Sequence, residues 1–282
     1  MNKNQLLLSV FCLFLPIFCA YSQNNPYNWL NNYDASAALS AQIAVPKGYE
    51  RQKTAANSWQ HFLQNLPLLA TGTKVMLYNG SEKPYQAGAM RVVNLDIGDK
   101  DLQQCADAIM RLKAEYHYAK REYAAIYFNY TSGDRVAFDD WRKGRKPKVG
   151  KTVTFSPANG REDNSRNNFE KYLINVFSYA GTASLEQELQ KISLSELQIG
   201  DIFIKGGFPG HAIIVLDVAK NIATGQKIFL LAQSYMPAQS LHVLTNPNAN
   251  AVEKCWYQLK EGEELRTPEW TFAAQSLKRF KN

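Results

Sequence analysis

Apolar residues recur at steps of three and four through "DKDLQQCADAIMRLKAEYHYAKR". Leu102, Cys105, Ile109, Leu112 and Tyr116 fall on one stripe, which is the period of an amphipathic α-helix. Strong helix formers fill the segment, and Asp101 with Gln104 three residues on predicts a capping box and a helix start there. "NSWQHFLQNLP" predicts a short helix capped near Ser58 and stopped by Pro67. "RNNFEKYLINVFSYAG" predicts an amphipathic helix ended by Gly181. "SLEQELQKI" predicts another, opening at Ser184 with Gln187 closing a second capping box.

Other segments lack that period. "SAQIAVPKGYER" reads as extended, and "KVMLY", "AMRVVNLDI" and "AIYFNYTSG" read as strands. A polar, loop-rich stretch runs from about Asp134 to Arg166. Apolar runs then predict strands at Asp201–Lys205, Ala212–Val218, Phe229–Gln233 and Trp256–Leu259, with a short helix over Phe272–Phe280 closing the chain. Early helices followed by an antiparallel sheet predict an α+β architecture.

The first residues change the picture of where this fold works. "MNKNQLLLSVFCLFLPIFCAYSQNN" has Lys3, an apolar run from Leu6 to Ala20 that is short for a bilayer and carries Pro16, and small residues at Ala20 and Ser22. This predicts a signal peptide over residues 1–22, cleaved after Ser22, and an exported, periplasmic or extracellular protein. Bulky Phe18 argues against lipid attachment at Cys19. No later segment approaches a membrane span, so residues 23–282 are expected to form a single α+β domain without one.

Composition adds less. At 45% apolar and 12% aromatic the chain is an ordinary globular one with a sizeable core. The net charge of +7 is spread along the sequence. Its one dense basic run, "WRKGRKPKVGK", lacks the strand-and-aromatic pattern of a nucleic-acid module, so no nucleic-acid partner is expected. His61, His117 and His242 show no paired ligand spacing, and "GGFPGH" has no Lys after its glycines; neither a metal nor a cofactor is expected. His117 with Glu115 reads as a solvated helix face, and Asp96 and Asp99 as strand-end and capping residues. Trp29, Trp59, Trp141, Trp256 and Trp270 divide between core and a sugar-stacking platform. A monomer is expected.

Cys12 and Cys19 lie in the predicted leader, which leaves Cys105 and Cys255. In an oxidising compartment the two can pair. Alternatively Cys105 is a small core residue, or a thiol at a helix N-terminus, where amide groups and the helix dipole lower its pKa. A nucleophilic thiol needs a base. In "IGDIFIKGGFPGHAIIVLDVA", His211 opens an apolar strand behind a glycine-rich loop. If the hairpin turn centres near Ala223, residue 211 lies opposite about residue 235, and a small slip brings Gln233 within reach. A Gln amide oxygen there could accept from one imidazole nitrogen and leave the other facing a thiol. The plainer alternative is a histidine satisfied by a backbone carbonyl.

The run "GDIFI…GHAIIVLDV…FLLAQS" resembles the histidine half of papain-like thiol hydrolases of the NlpC and CHAP type, which cut bacterial cell-wall peptides. The resemblance implies a papain-like core with N-terminal helices packed on the sheet, Cys105 as nucleophile, His211 as base and Gln233 as orienter. Segments such as "DLQQCADAIMRLKAEY", "PGHAIIVLDVA", "LLAQSYMPAQSLHVL" and "TPEW" are similar to an exported bacterial family known only as a domain of unknown function. Two functions remain in view. One is an exported cysteine hydrolase (an amidase or peptidase) acting on peptidoglycan peptide or a similar amide. The other is an inactive exported protein that binds a peptide or glycan in the same cleft.

Overall fold

The computed structural model describes residues 25–248 and 254–281. The predicted leader, its cleavage site at Ser22 and the cysteines at 12 and 19 lie outside the described residues. Among the described residues no helix is long and apolar enough to cross a membrane.

After a 3-10 turn at Ala35–Ala37 come α1 (Leu39–Gln42) and β1 (Tyr49–Arg51), so only the last three residues of "SAQIAVPKGYER" form a strand. In α2 (Trp59–Gln64) Ser58 Oγ accepts the His61 amide at 3.1 Å, the cap that the sequence predicts. "KVMLY" makes isolated bridges, Met76 to Glu82 and Leu77 to Gln239, and no strand; β2 (Ala89–Val92) follows.

The stripe from Leu102 to Tyr116 becomes α3 (Cys105–Ala119), but its cap is Gln104, three residues later than expected. Asp101 does not cap it. Its Oδ1 accepts the Ala238 amide at 2.7 Å and Gln104 Nε2 at 3.0 Å, so a tertiary contact claims that carboxylate. Asp107 takes the capping role instead, with Oδ2 3.1 Å from the Gln104 amide. Cys105 is therefore the first helical residue.

The polar stretch is not all loop. β3 (Tyr127–Asn129), from the segment read as a strand, hairpins with β4 (Arg135–Ala137) at the start of that stretch, which then holds α4 (Phe138–Arg142) and a second hairpin of β5 (Pro147–Val149) and β6 (Val153–Phe155). Next comes α5 (Arg166–Tyr179), with Ser165 as its cap. In α6 (Thr182–Glu188), Ser184 is the third residue, and its hydroxyl turns back to the Gly181 amide at 3.1 Å; it does not open the helix.

Strands β7 (Leu189–Lys191), β8 (Ile202–Lys205), β9 (His211–Asn221), β10 (Lys227–Gln233), β11 (His242–Leu244) and β12 (Trp256–Tyr257) then build the main sheet. A small hairpin, β13 (Leu265–Arg266) with β14 (Thr271–Phe272), and β15 (Leu277–Phe280) complete the chain. The helix expected over Phe272–Phe280 does not form. Leu277 pairs with Phe203 and Arg279 with Gln190, so ladder bonds between β8 and β7 capture that segment. The sheet runs β2-β11-β10-β9-β8-β15-β7, with β1 on β9 and β12 on β10, and its pairs are antiparallel. The fold is α+β.

The nine residues from His211 to Ala219 are all buried, which explains the apolar run Ala212–Leu216; Asp217, buried among them, is met by Arg51 and Gln64. α2 and α3 pack against this strand. A polar network anchors α3 from behind. Arg111 binds Asp96 Oδ2 at 2.6 Å and Gln103 Oε1 at 2.6 Å, and the fully buried Glu115 receives both terminal nitrogens of Arg166 at 2.6 and 2.7 Å. Glu115 is thus an internal anchor and not part of a solvated face; half-buried His117 pairs with Glu122. Asp96 is an ion-pair partner and not a strand end.

Candidate functional site

α3 brings its first residue to the His211 end of β9. The Cys105 thiol lies against backbone N–H groups: that of Ala212, that of Ala106 and its own. The segment before α3 is tied to the end of β10, where Ser234 Oγ donates to Gln103 O at 3.0 Å. Asp101 adds its bond to Ala238 from the following loop. These contacts fix the helix start against the strand ends.

His211 Nε2 and Gln233 Oε1 are 2.8 Å apart, and both residues are 1% exposed. The pairing of β9 with β10 explains this. Leu231 lies opposite Val215 and Ala232 opposite Ile214. Beyond a one-residue slip at the bulge between Leu230 and Leu231, that register continued puts Tyr235 opposite His211 and Gln233 one diagonal step away on the same face. The Tyr235 and His211 ring centroids are 4.6 Å apart. Trp270 at 5.3 Å and Phe272 at 5.7 Å close the ring in.

The sequence candidates are therefore brought together unequally. His211 and Gln233 are bonded. Cys105 reaches the residue next to His211, but no hydrogen bond joins its sulfur to the imidazole. With Nε2 engaged by Gln233, Nδ1 is the ring nitrogen left for a thiol.

Electrostatics decide the resting protonation. Burial pushes the Cys105 thiol up to about 11, Asp107 adds to this, and the three backbone N–H groups oppose it only in part. The thiol is raised and not lowered as a helix N-terminus alone would have it, because desolvation outweighs the backbone N–H groups. Burial takes His211 down to about 4, against the bond from Gln233 and with help from the Lys83 charge. Near neutral pH both groups are uncharged, and the imidazole is free to accept a proton. Cys105 and Cys255 are not joined in a disulfide. Cys255 abuts β12, whose Trp256 pairs with Leu230 well along β10 from Gln233, so different parts of the sheet hold the two thiols.

Sequence reasoning missed the residues behind Gln233. Gln233 Nε2 donates to Glu269 Oε2 at 2.7 Å, and Lys83 Nζ donates to the same oxygen. Glu269 sits in the turn "TPEW" between β13 and β14, held by Thr267 N to Trp270 O at 2.8 Å and Trp270 N to Thr267 Oγ1 at 3.1 Å. No spacing in the sequence marks Lys83 or Glu269, since each reaches the site from a separate loop.

Of the tryptophans, Trp141 and Trp256 are buried, Trp29 and Trp59 pack against the core, and Trp270 alone of the five touches His211. His242 is buried opposite Gln233, with Nδ1 2.8 Å from Ser240 O. Among the described residues no three His, Cys, Asp or Glu side chains cluster as metal ligands. Because β9 and β10 are antiparallel, the loops before His211 and after Gln233 leave the same end of the sheet. There they carry Phe208, 95% exposed, and Met236, 59% exposed. A surface cleft of about 370 Å³ lies at the other end of β10, against Lys227 and Phe229.

No curated protein and no solved structure matches the chain. A protein-family model does match, over residues 39–279, and the chain belongs to that family, described as Domain of unknown function (4846).

Proposed function

We propose that this protein is an exported cysteine hydrolase that cuts an amide bond, with bacterial cell-wall peptide as its substrate class. The observation that carries the reading is the 2.8 Å bond between Gln233 Oε1 and His211 Nε2, which leaves Nδ1 unengaged on a residue whose chain neighbour, Ala212, meets the helix-borne thiol. Cys, His and an amide in this relation are the parts of nucleophile, base and orienter.

In the reaction, His211 Nδ1 takes the thiol proton as Cys105 Sγ attacks the carbonyl carbon. Backbone N–H groups around Cys105 stabilise the oxyanion. The imidazolium then protonates the leaving amine, and the C–N bond breaks to give a thioester. Water, deprotonated by His211, releases the acid and restores the thiol. Gln233 holds the ring through Nε2 at every stage. Trp270 Nε1, beside the imidazole, is buried without a partner.

A second reading, an inactive binding protein for a peptide or glycan, is favoured by the missing thiol–imidazole hydrogen bond and by the 1% exposure of His211. Purified protein incubated with cell-wall peptide fragments separates the two. Hydrolysis that disappears in Cys105→Ala and falls about 10²–10⁴-fold in His211→Ala supports the enzyme. Saturable binding without product, unchanged in Cys105→Ala, supports the binding protein.

A further inference from the structure

The Gln233 side chain has two chemically different ends, and each meets a defined partner. Oε1 faces His211 Nε2 at 2.8 Å, and Nε2 faces Glu269 Oε2 at 2.7 Å. That Glu269 oxygen also accepts from Lys83, which is 6% exposed and forms a salt bridge with it. An ammonium only donates and a carboxylate only accepts, whereas an amide does both and an imidazole can do either at each nitrogen.

We infer that Glu269, held by Lys83, selects the tautomer of His211. The acceptor-only carboxylate requires the amide nitrogen of Gln233 on its side. The amide oxygen must then face the ring, so the imidazole proton sits on Nε2 and the lone pair on Nδ1. Turned over, the amide would present N–H to the ring, place the lone pair on Nε2 and leave Nδ1 protonated and useless as a base. The proton a histidine nitrogen carries is set by the bond the other nitrogen makes; here the setting originates two residues further out. Neither Glu269 nor Lys83 hydrogen-bonds the ring or the thiol, so both are positioning residues. The turn "TPEW" serves this twice, placing Glu269 on the amide and Trp270 on the imidazole. The catalytic consequence rests on the proposed hydrolase reading; the tautomer itself does not.

The test is nitrogen-15 NMR of the histidine rings at pH 7 in the ¹⁵N-labelled protein. His242 is an internal reference, because its Nδ1 lies 2.8 Å from the Ser240 carbonyl oxygen and must carry the proton. The expected wild-type result is a proton on Nε2 of His211 and on Nδ1 of His242. Glu269→Ala frees the amide, and His211 becomes a mixture of tautomers while His242 is unchanged. Exchanging the charges, with Lys83→Glu and Glu269→Lys together, offers Gln233 a donor and moves the His211 proton to Nδ1. A wild-type proton on Nδ1 of His211 overturns the inference, as does a pure Nε2–H form in both variants. Should a variant lose the His242 pattern, it has lost the fold, and the wild-type ring and the other variant decide. A wild-type ring protonated on Nε2 in a protein without hydrolytic activity upholds this inference and removes the proposed function.

Discussion

The thiol of Cys105, first residue of α3, lies against the backbone N–H of Ala212, the residue that follows His211 on β9. Helix and strand are distant in sequence, so this contact belongs to tertiary packing, and it sets what each side chain can do. The thiol is near amide dipoles and yet too desolvated for them to ionise it.

Alkylation of Cys105 should therefore be slow at pH 7 and rise continuously above pH 9, since a thiol pushed up to about 11 is neutral below that range. Buried Cys255, also pushed up to about 11 by desolvation, should react more slowly because it is less exposed. Peptide mapping after iodoacetamide treatment across pH 6–11 would show it. A plateau of Cys105 reactivity below pH 7 that is lost in His211→Ala would reveal a thiolate–imidazolium pair and contradict this expectation.

His211 makes the folded state sensitive to acid. Its pKa is depressed to about 4 from an ordinary value near 6.5, so the unfolded chain binds the extra proton first. Its contribution is whole above about 6.5 and is lost as pH falls through the window to about 4. The stability advantage of the wild type over His211→Asn should shrink across that window by up to about 3 kcal/mol. Urea denaturation of both proteins at several pH values measures the difference; a constant gap would show that His211 titrates normally.

Glu115 is fully buried between Arg111 and Arg166. Glu115→Ala leaves two guanidinium groups without their shared carboxylate, a loss of about 3–5 kcal/mol. A melting temperature within about a degree of the wild type would show that the pair contributes nothing to stability.

The loop before His211 is tightly closed. A Cβ on Gly210 would meet Gly207 O at 2.3 Å, Thr182 Oγ1 at 2.4 Å and Lys205 O at 2.9 Å. Gly210→Ala should cost about 1–3 kcal/mol and displace the imidazole from Gln233. Chemical shifts of His211 compared with those of His242 would report the displacement, and identical His211 shifts would mean that the loop absorbs the methyl group.

Much of the site's framework is legible in the sequence because it is local. The stripe Ile109, Leu112 and Tyr116 specifies a helix whatever surrounds it, and the loop centred near Ala223 joins β9 and β10 as a hairpin, while a bulge between Leu230 and Leu231 sets the match of residue 235 to 211. Asp101 misled for the opposite reason: the Ala238 amide that claims its carboxylate comes from a loop far along the chain. "FAAQSLKRF" misled likewise, since its helix formers lose to ladder bonds on β8 and β7.

By itself, then, the sequence determined an α+β chain, the helix that carries Cys105 and the hairpin that carries His211 and Gln233, because 3.6-residue periodicity and turn length act between neighbours. Tertiary structure alone decided that the thiol and imidazole rest uncharged and unbonded to each other, that Glu269 and Lys83 stand behind Gln233, and that Glu115 is an internal anchor. Desolvation and the choice of hydrogen-bond partner depend on which distant segments close over a group, and no local pattern encodes that.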